Sequence, residues 1–263
     1  MSRIVSLAMY DPGGDALERL WGDLRSRLSD AGLDELPDRL ASPARLESAW
    51  VADDLLLAQT CGYPLRHALA GRVRYVGTPI YDVEGTEGAE YRSAIVVRAH
   101  DPAYALADLQ GRRAAFNYRT SQSGYNAFRA AVAPLAVGGR FFGSVVETGS
   151  HGASLRAVID NVADAAAIDP VSLALTPETT RRSVRILGWT DAAPGLPFIT
   201  SRLTTDSELD ALRRVLDGFL NHSRTPATEE FQLAGFEVLE EAAYDGVLAM
   251  EQAAGARSYS VLN

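Results

Sequence analysis

The chain has 263 residues, 47% of them hydrophobic, which is enough to bury a large core in one domain or two. Its net charge of −9 argues against nucleic acid as a partner. All 25 basic residues are arginine, and the lack of lysine excludes Schiff-base, pyridoxal-phosphate and phosphate-loop chemistry.

The cysteine and histidine pattern predicts neither a disulfide nor a metal or other cofactor. Cys61 is the sole cysteine, and the four histidines are scattered without metal-ligand spacing. The N-terminus is typical of a first strand rather than a signal peptide, and no stretch approaches the roughly 20 apolar residues of a membrane helix. We therefore expect no membrane insertion and a cytoplasmic location as given, or a periplasmic one if a leader has been removed.

Strand and helix patterns alternate along the first half of the chain. In chain order they predict a strand at 4–10, a helix through Leu17 and Leu28, a helix from Ser42-Pro43 to Trp50, strands at 55–58, 73–81 and 91–98, and a short helix ending at 108–111. The second half continues the alternation with strands at 113–116, 144–147, 164–168, 183–189 and 198–202, helices at 127–135 and 154–162, and helices near the C-terminus. Such alternation predicts an α/β fold with mostly parallel sheets.

A hydroxyl-rich loop follows the strand at 113–116 and precedes the helix at 127–135. It contains Thr120, Ser121 and Ser123 just before Gly124. The first N–H groups of a helix lack intrahelical partners and carry partial positive charge, so hydroxyls placed there favour an anion. An ordinary helix cap is the commoner fate of such residues, but three hydroxyls exceed what one cap needs, and we interpret the loop as a ligand site.

Further polar loops follow other predicted strands. Tyr10 ends the first strand and Thr60 the second, and His151 lies in a loop that precedes a helix. If protonated, His151 offers an anion a charge-assisted bond, and a solvated histidine at a helix start is an equal alternative. Asp169 ends another strand, where capping the next helix is the simpler interpretation.

The order of these motifs resembles the phosphate, phosphite and phosphonate-binding family of ABC-transporter substrate-binding proteins. The resemblance covers nearly the whole chain and rests on 91–98, 108–113, 117–126, 149–151, 167–169 and 194–198. It implies a type II periplasmic-binding-protein fold, with two lobes, two crossover strands at the hinge and a ligand cleft between the lobes. Lobe one would be 1–90 plus 198–263, and lobe two 91–197.

The same resemblance implies roles for individual residues. Thr120, Ser121 and Ser123 would hold phosphonate oxygens, and His151 would also face the anion. Tyr10 and Tyr63 would close over the ligand from lobe one, where we also place Thr60 in the site, and Asp169 would face its organic end. The predicted partners are a small anionic ligand and an ABC permease or a regulatory protein.

Two alternative functions remain open at this point. One is a cytoplasmic enzyme on the same fold, similar to menaquinone-pathway enzymes or thiamine-precursor synthases, with His151 or Asp169 as acid–base groups. The other is a cytoplasmic ligand sensor that reports to a partner protein. Because we find no convincing nucleophile with its base, a non-catalytic binding protein is the preferred interpretation.

Overall fold

The computed structural model describes residues 3–41 and 46–263, so the predicted helix start at Ser42-Pro43 lies outside the described residues. The strands are β1 (Ile4–Ser6), β2 (Leu55–Gln59), β3 (Val73–Tyr81), β4 (Thr86–Glu87), β5 (Glu90–Tyr91), β6 (Ala94–Arg98), β7 (Arg113–Phe116), β8 (Ser144–Glu147), β9 (Ala165–Ile168), β10 (Val184–Trp189), β11 (Ala193–Pro194), β12 (Phe198–Ser201) and β13 (Leu233–Glu237).

The helices between these strands are short, and the longest have 15 residues. They are α1 (Ala16–Asp30), α2 (Leu46–Trp50), α3 (Gly62–Arg66), α4 (Ala127–Val132), α5 (His151–Ile159), α6 (Pro170–Ala174), α7 (Glu178–Arg181), α8 (Asp206–Leu220), α9 (Pro226–Glu230) and α10 (Asp245–Ala256). Single 3₁₀ turns lie at Leu106–Leu109, Ala133–Leu135 and Glu241–Tyr244, and a π turn at Gln122–Asn126. Within the described ranges, no helix combines the length and apolar character needed to cross a membrane.

The chain folds into two compact units. Unit 1 contains the described residues up to Asp82, with Glu87–Ala89 and Pro194–Ala243. Unit 2 contains Val83–Thr86, Glu90–Ala193 and Tyr244–Asn263. This division differs from the predicted boundaries in the C-terminal segment, which we expected in lobe one and which belongs to unit 2. The predicted ligand cleft between lobes stays a prediction.

Unit 1 is built on a five-stranded sheet in the order β1-β2-β12-β3-β13. Strand β2 lies between β1 and β12 and is fully buried, and all its side chains but that of Gln59 are apolar. Helices α1 and α8 pack together through apolar stripes at helical spacing, which include Leu20 and Leu24 on α1 and Leu212 and Leu216 on α8. The predicted α/β alternation is therefore confirmed in this unit.

Unit 2 contains a second five-stranded sheet in the order β10-β6-β9-β7-β8, with a hydrophobic cluster on each face. Helix α5 covers one face through Leu155 and Val158. The opposite face is covered by aromatic and aliphatic side chains that include Phe128 on α4. This three-layer arrangement buries the inner strands β6, β9 and β7, as their apolar runs require.

The sheets are mixed, whereas the sequence predicted mostly parallel ones. Pairing is parallel for β1 with β2 and for β7 with β8 and β9. It is antiparallel for β12 with β2 and β3, for β13 with β3, and for β6 with β9 and β10. The prediction failed because each of the strands β6, β12 and β13 inserts beside or between strands distant in sequence, and periodicity does not report such pairings.

The C-terminal segment Tyr244–Asn263 is tied to the π turn and α4 by buried polar groups. Asn126 Nδ2 donates to the carbonyl of Val247 at 2.9 Å. Arg129, which is 3% exposed, donates to the carbonyl of Ser260 at 2.6 Å and to Asn126 Oδ1 at 2.7 Å. Tyr259 also belongs to the hydrophobic cluster on this face of the sheet. These contacts place the segment in unit 2.

We predict that Arg129→Met lowers the free energy of unfolding by about 2 to 4 kcal/mol, because it leaves buried carbonyl oxygens without donors. Urea denaturation measures this loss. The control is Arg182→Met, which removes an exposed arginine paired with Glu178 and should cost less than about 0.5 kcal/mol. Equal effects of the two substitutions would contradict a tethering role for Arg129.

Candidate functional site

The carboxyl ends of β7, β8 and β9 lie side by side because β7 pairs in parallel with both neighbours. The loop after β8 stays bonded to the loop after β7: the N–H groups of Thr148 and Gly149 donate to the carbonyls of Phe116 and Asn117 at 2.9 and 3.0 Å. Ligand sites of α/β proteins form at such strand ends. The backbone therefore brings the hydroxyl-rich loop next to His151.

Ser121 and Ser123 lie where that loop becomes helical. Ser121 is the N-cap of the π turn, and its Oγ accepts from the N–H of Gly124 at 3.0 Å. Ser123 lies in the first turn, and its Oγ is 3.5 Å from that of Ser121. The sequence predicted a helix only from residue 127, but the π turn extends helical structure to the serines and places both hydroxyls at the helix start.

His151 is the first residue of α5 and joins this group. Its Nε2 is 2.8 Å from Ser123 Oγ and 3.4 Å from Asn117 Nδ2, while its Nδ1 is 3.4 Å from the backbone N of Asp169. Ser150 caps α5 by accepting from the N–H of Ala153 at 3.0 Å. We call Asn117, Ser121, Ser123 and His151 the Ser–His cluster.

The imidazole of His151 is neutral at pH 7. Burial lowers its pKa from 6.5 to about 4, and a hydrogen bond with the backbone of Ala167 opposes this shift only in part. A charge-assisted bond from a protonated His151, one of the two equal interpretations of the sequence, is therefore not expected at pH 7. Hydroxyl groups, backbone amides and a neutral ring are what the cluster offers to a ligand.

Asn117 is the member of the cluster that sequence reasoning missed. It follows β7 directly, is 8% exposed, and its Oδ1 is buried with no hydrogen-bond partner among the described residues. A Cβ on Gly124 would come within 2.1 Å of that oxygen and 3.2 Å of His151 Cε1. Glycine is therefore needed at position 124 for this close packing. The signal by which the sequence could have identified Asn117 is its place directly after a predicted strand.

Two further predicted site residues of unit 2 lie outside the cluster's contacts. Thr120 is exposed. The carboxylate of Asp169 caps α6 by accepting from the N–H of Ser172 at 3.0 Å, which agrees with the simpler interpretation of that residue. Its backbone N–H donates to His151 Nδ1 at 3.4 Å. Roles for Thr120 and Asp169 in contacting a ligand stay predictions.

Tyr10, Thr60 and Tyr63 belong to unit 1. Tyr10 is buried and meets Tyr81 edge-on, with ring centroids 5.1 Å apart. Tyr63 stacks on His67 at 4.1 Å. Thr60 is fully buried after β2, and its Oγ1 has no hydrogen-bond partner in the part of the chain that the structure describes. Their predicted part in ligand binding remains untested.

The His, Cys, Asp and Glu side chains of the described residues are not arranged as a metal site. Across residues 3–41 and 46–263, no group of three or more His, Cys, Asp or Glu side chains could hold a metal ion. Cys61 is buried at the start of α3 and forms no disulfide.

Residues 14–244 match a protein family described as ABC transporter, phosphonate, periplasmic substrate-binding protein. This match spans most of the chain and confirms the resemblance inferred from the motifs. No curated protein matches the sequence.

Several solved structures share the fold. A binding protein component of an ABC phosphonate transporter (PA3383) from Pseudomonas aeruginosa has 15% identity and a TM-score of 0.75 over 97% of this chain and 88% of that one. PhnD1 from Prochlorococcus marinus, in complex with methylphosphonate, has 16% identity and a TM-score of 0.74 over 95% and 97%. XAC2383 from Xanthomonas citri, bound to ATP, has 18% identity and a TM-score of 0.69 over 98% of both chains. The predicted periplasmic-binding-protein fold is thereby confirmed.

We predict that Gly124→Ala destabilises unit 2 by about 1 to 3 kcal/mol, because the new methyl group collides with Asn117. Thermal or urea unfolding measures the loss. Gly152→Ala is the matched control, since its Cβ would meet only the end of the Arg156 side chain at 3.7 Å. Adding Asn117→Ala should recover part of the loss, and strict additivity would argue against the collision.

We predict that His151 makes stability fall as the pH is lowered from about 6.5 towards 4. The unfolded chain takes up a proton at this residue below its ordinary pKa of 6.5, whereas the folded chain resists protonation down to about 4. Stability from this group is therefore fully present above pH 6.5. Urea unfolding across this range should show a shallower pH dependence for His151→Gln than for the wild type. An unchanged pH dependence in His151→Gln would contradict a buried neutral ring.

Proposed function

Because the chain belongs to the phosphonate-binding periplasmic substrate-binding proteins of ABC transporters, we propose that its Ser–His cluster binds the oxyanion head of a small phosphonate or phosphate ester. The main observation that supports this assignment is that two helical segments begin next to each other. Ser123 Oγ on the π turn and His151 Nε2 on α5 lie 2.8 Å apart, so the first turns of two helical segments meet at this place. Backbone N–H groups there have no intrahelical acceptors and favour an anion.

Local donors are the means by which an acidic protein would hold an anion. The net charge of −9 gives no long-range attraction for a negative ligand. Hydroxyl and amide donors act only at contact distance, and hydrogen bonds to a charged group contribute about 1.5 to 3 kcal/mol each. A few such bonds are sufficient for a solute receptor, and they also impose geometry on the ligand.

The enzymatic alternative is less well supported. Ser123 and His151 lie within the distance expected of a nucleophile and its base. However, a pKa of about 4 makes His151 a weak base at pH 7, and the contact that Asp169 makes with the ring is a donor one, from its backbone N–H to Nδ1. The pair therefore suits binding better than proton transfer.

Membership of this family supports a role in solute transport. Its members are periplasmic receptors that work with an ABC transporter, which favours the periplasmic one of the two expected locations. We infer that the partner of this chain is an ABC permease and that its ligand is delivered there.

A binding assay tests the proposal. Methylphosphonate, 2-aminoethylphosphonate or phosphate should raise the melting temperature in a concentration-dependent way, by the equivalent of about 2.7 kcal/mol at 100 times Kd. We expect Ser121→Ala combined with Ser123→Ala to weaken binding by at least about 100-fold, because two bonds to a charged group are lost.

The control is Ser223→Ala in unit 1, which removes a hydroxyl that bonds only to the carbonyl of Gly218. Its affinity should equal that of the wild type. Binding unaffected by the double substitution would refute the placement of the site, and turnover of a bound phosphonate that is lost in His151→Ala would instead favour the enzyme.

A further inference from the structure

An exposed aromatic side chain lies beside the Ser–His cluster. Tyr118 directly follows Asn117, a member of the cluster, and is 51% exposed. The backbone at this position is held in place, because the carbonyl of Tyr118 accepts from the N–H of Ser121 at 3.0 Å. Ser121 in turn caps the π turn. Tyr118 is therefore fixed on the same loop as the serines to which we assign the anion.

The side chain of Tyr118 extends towards the loop after β8. A Cβ on Gly149 would lie 3.7 Å from the hydroxyl of Tyr118. Gly149 is two residues before His151, and its N–H donates to the carbonyl of Asn117 at 3.0 Å. The phenol ring therefore spans the loops that leave β7 and β8, at the edge of the sheet where the Ser–His cluster lies.

The Ser–His cluster itself is suited only to the oxyanion head of a ligand. Its side chains end in hydroxyl, amide and imidazole groups, which form hydrogen bonds with oxygen. A phosphonate also carries an organic substituent, whose transfer from water to an apolar surface is favourable. The half-exposed ring of Tyr118 is an apolar surface of this kind next to the cluster.

We propose that the ring of Tyr118 contacts the organic substituent of the bound ligand, so that the site favours alkylphosphonates over oxyanions without a carbon substituent. The oxygens of the ligand then occupy the donors of the cluster, and its carbon atoms lie against the ring. Each carbon that covers part of the ring removes apolar surface from water and strengthens binding. This inference rests on the proposed function and assigns a specificity-determining residue to it.

Two neighbouring candidates for this role lie elsewhere. Tyr104 is 91% exposed, but it lies in the loop after β6, which runs antiparallel to β9 and so ends at the opposite edge of the sheet from the cluster. Arg119, the next residue after Tyr118, places its guanidinium over the rings of Phe116 and Tyr125, 5.7 and 5.8 Å from their centroids. Tyr104 therefore provides a matched control for Tyr118.

Isothermal titration calorimetry with phosphite, methylphosphonate and ethylphosphonate tests this role. These ligands share the same three-oxygen head, are all dianions above the second pKa of each, and differ by one carbon at each step. For the wild type we expect the affinity to rise about 3-fold with each carbon, which corresponds to burial of most of one carbon group. Tyr118→Ala should reduce this rise to less than about 1.5-fold, and should leave the affinity for phosphite within about 2-fold because the oxygen donors remain.

Two control variants complete the test. Tyr118→Phe keeps the ring and should keep the rise in affinity with each carbon. Tyr104→Ala removes an exposed ring at the opposite edge of the sheet and should leave all three affinities within about 2-fold of the wild type. Binding of none of the three ligands by the wild type would refute the proposed function itself. A wild-type affinity that does not rise with carbon number, or the same rise in Tyr118→Ala, would overturn only the role of Tyr118.

Discussion

The parallel pairing of β7 with β8 on one side and β9 on the other is the constraint on which the site depends. Parallel neighbours end at the same edge, so the loops that leave them must share a small space. Antiparallel pairing of either neighbour would carry its loop to the opposite edge. The backbone bonds of Thr148 and Gly149 extend this pairing beyond the strands and fix where α5 begins. The position of His151 is therefore a consequence of strand direction.

Burial then determines the chemistry that this position permits. A charged imidazole would have to be desolvated beside Ser123, which lowers the pKa of His151 and keeps the ring neutral. The cluster therefore contains neutral hydrogen-bonding groups and no imidazolium charge. In the proposed function, a protein of net charge −9 would hold its anion by such neutral groups at contact distance rather than by long-range attraction.

Local sequence patterns predicted the positions of strands well, but not the direction in which strands pair or the contacts between residues far apart in the sequence. The bounds of β3, β7 and β8 agree with the prediction because apolar runs bounded by Gly or polar residues define a strand without its partners. The serines and His151 were predicted from their places after such strands. The sheet directions, the charge state of His151 and the contact with Asn117 were missed, because each depends on what packs nearby from distant sequence. The beginning of the π turn was also missed, since Ser121 and Gly124 form it through a single cap bond.

The C-terminal segment connects the fold to the precision of the site. The π turn carries Ser123 on one side and Asn126 on the next turn, and Asn126 is held by Val247 and Arg129. π turns are rare and are often found at functional sites. The buried bonds from α4 to the last residues hold this one in place, so the positions of the serine hydroxyls depend on a distant part of the chain. For the proposed function, such buried polar bonds behind the Ser–His cluster keep its groups in a fixed geometry.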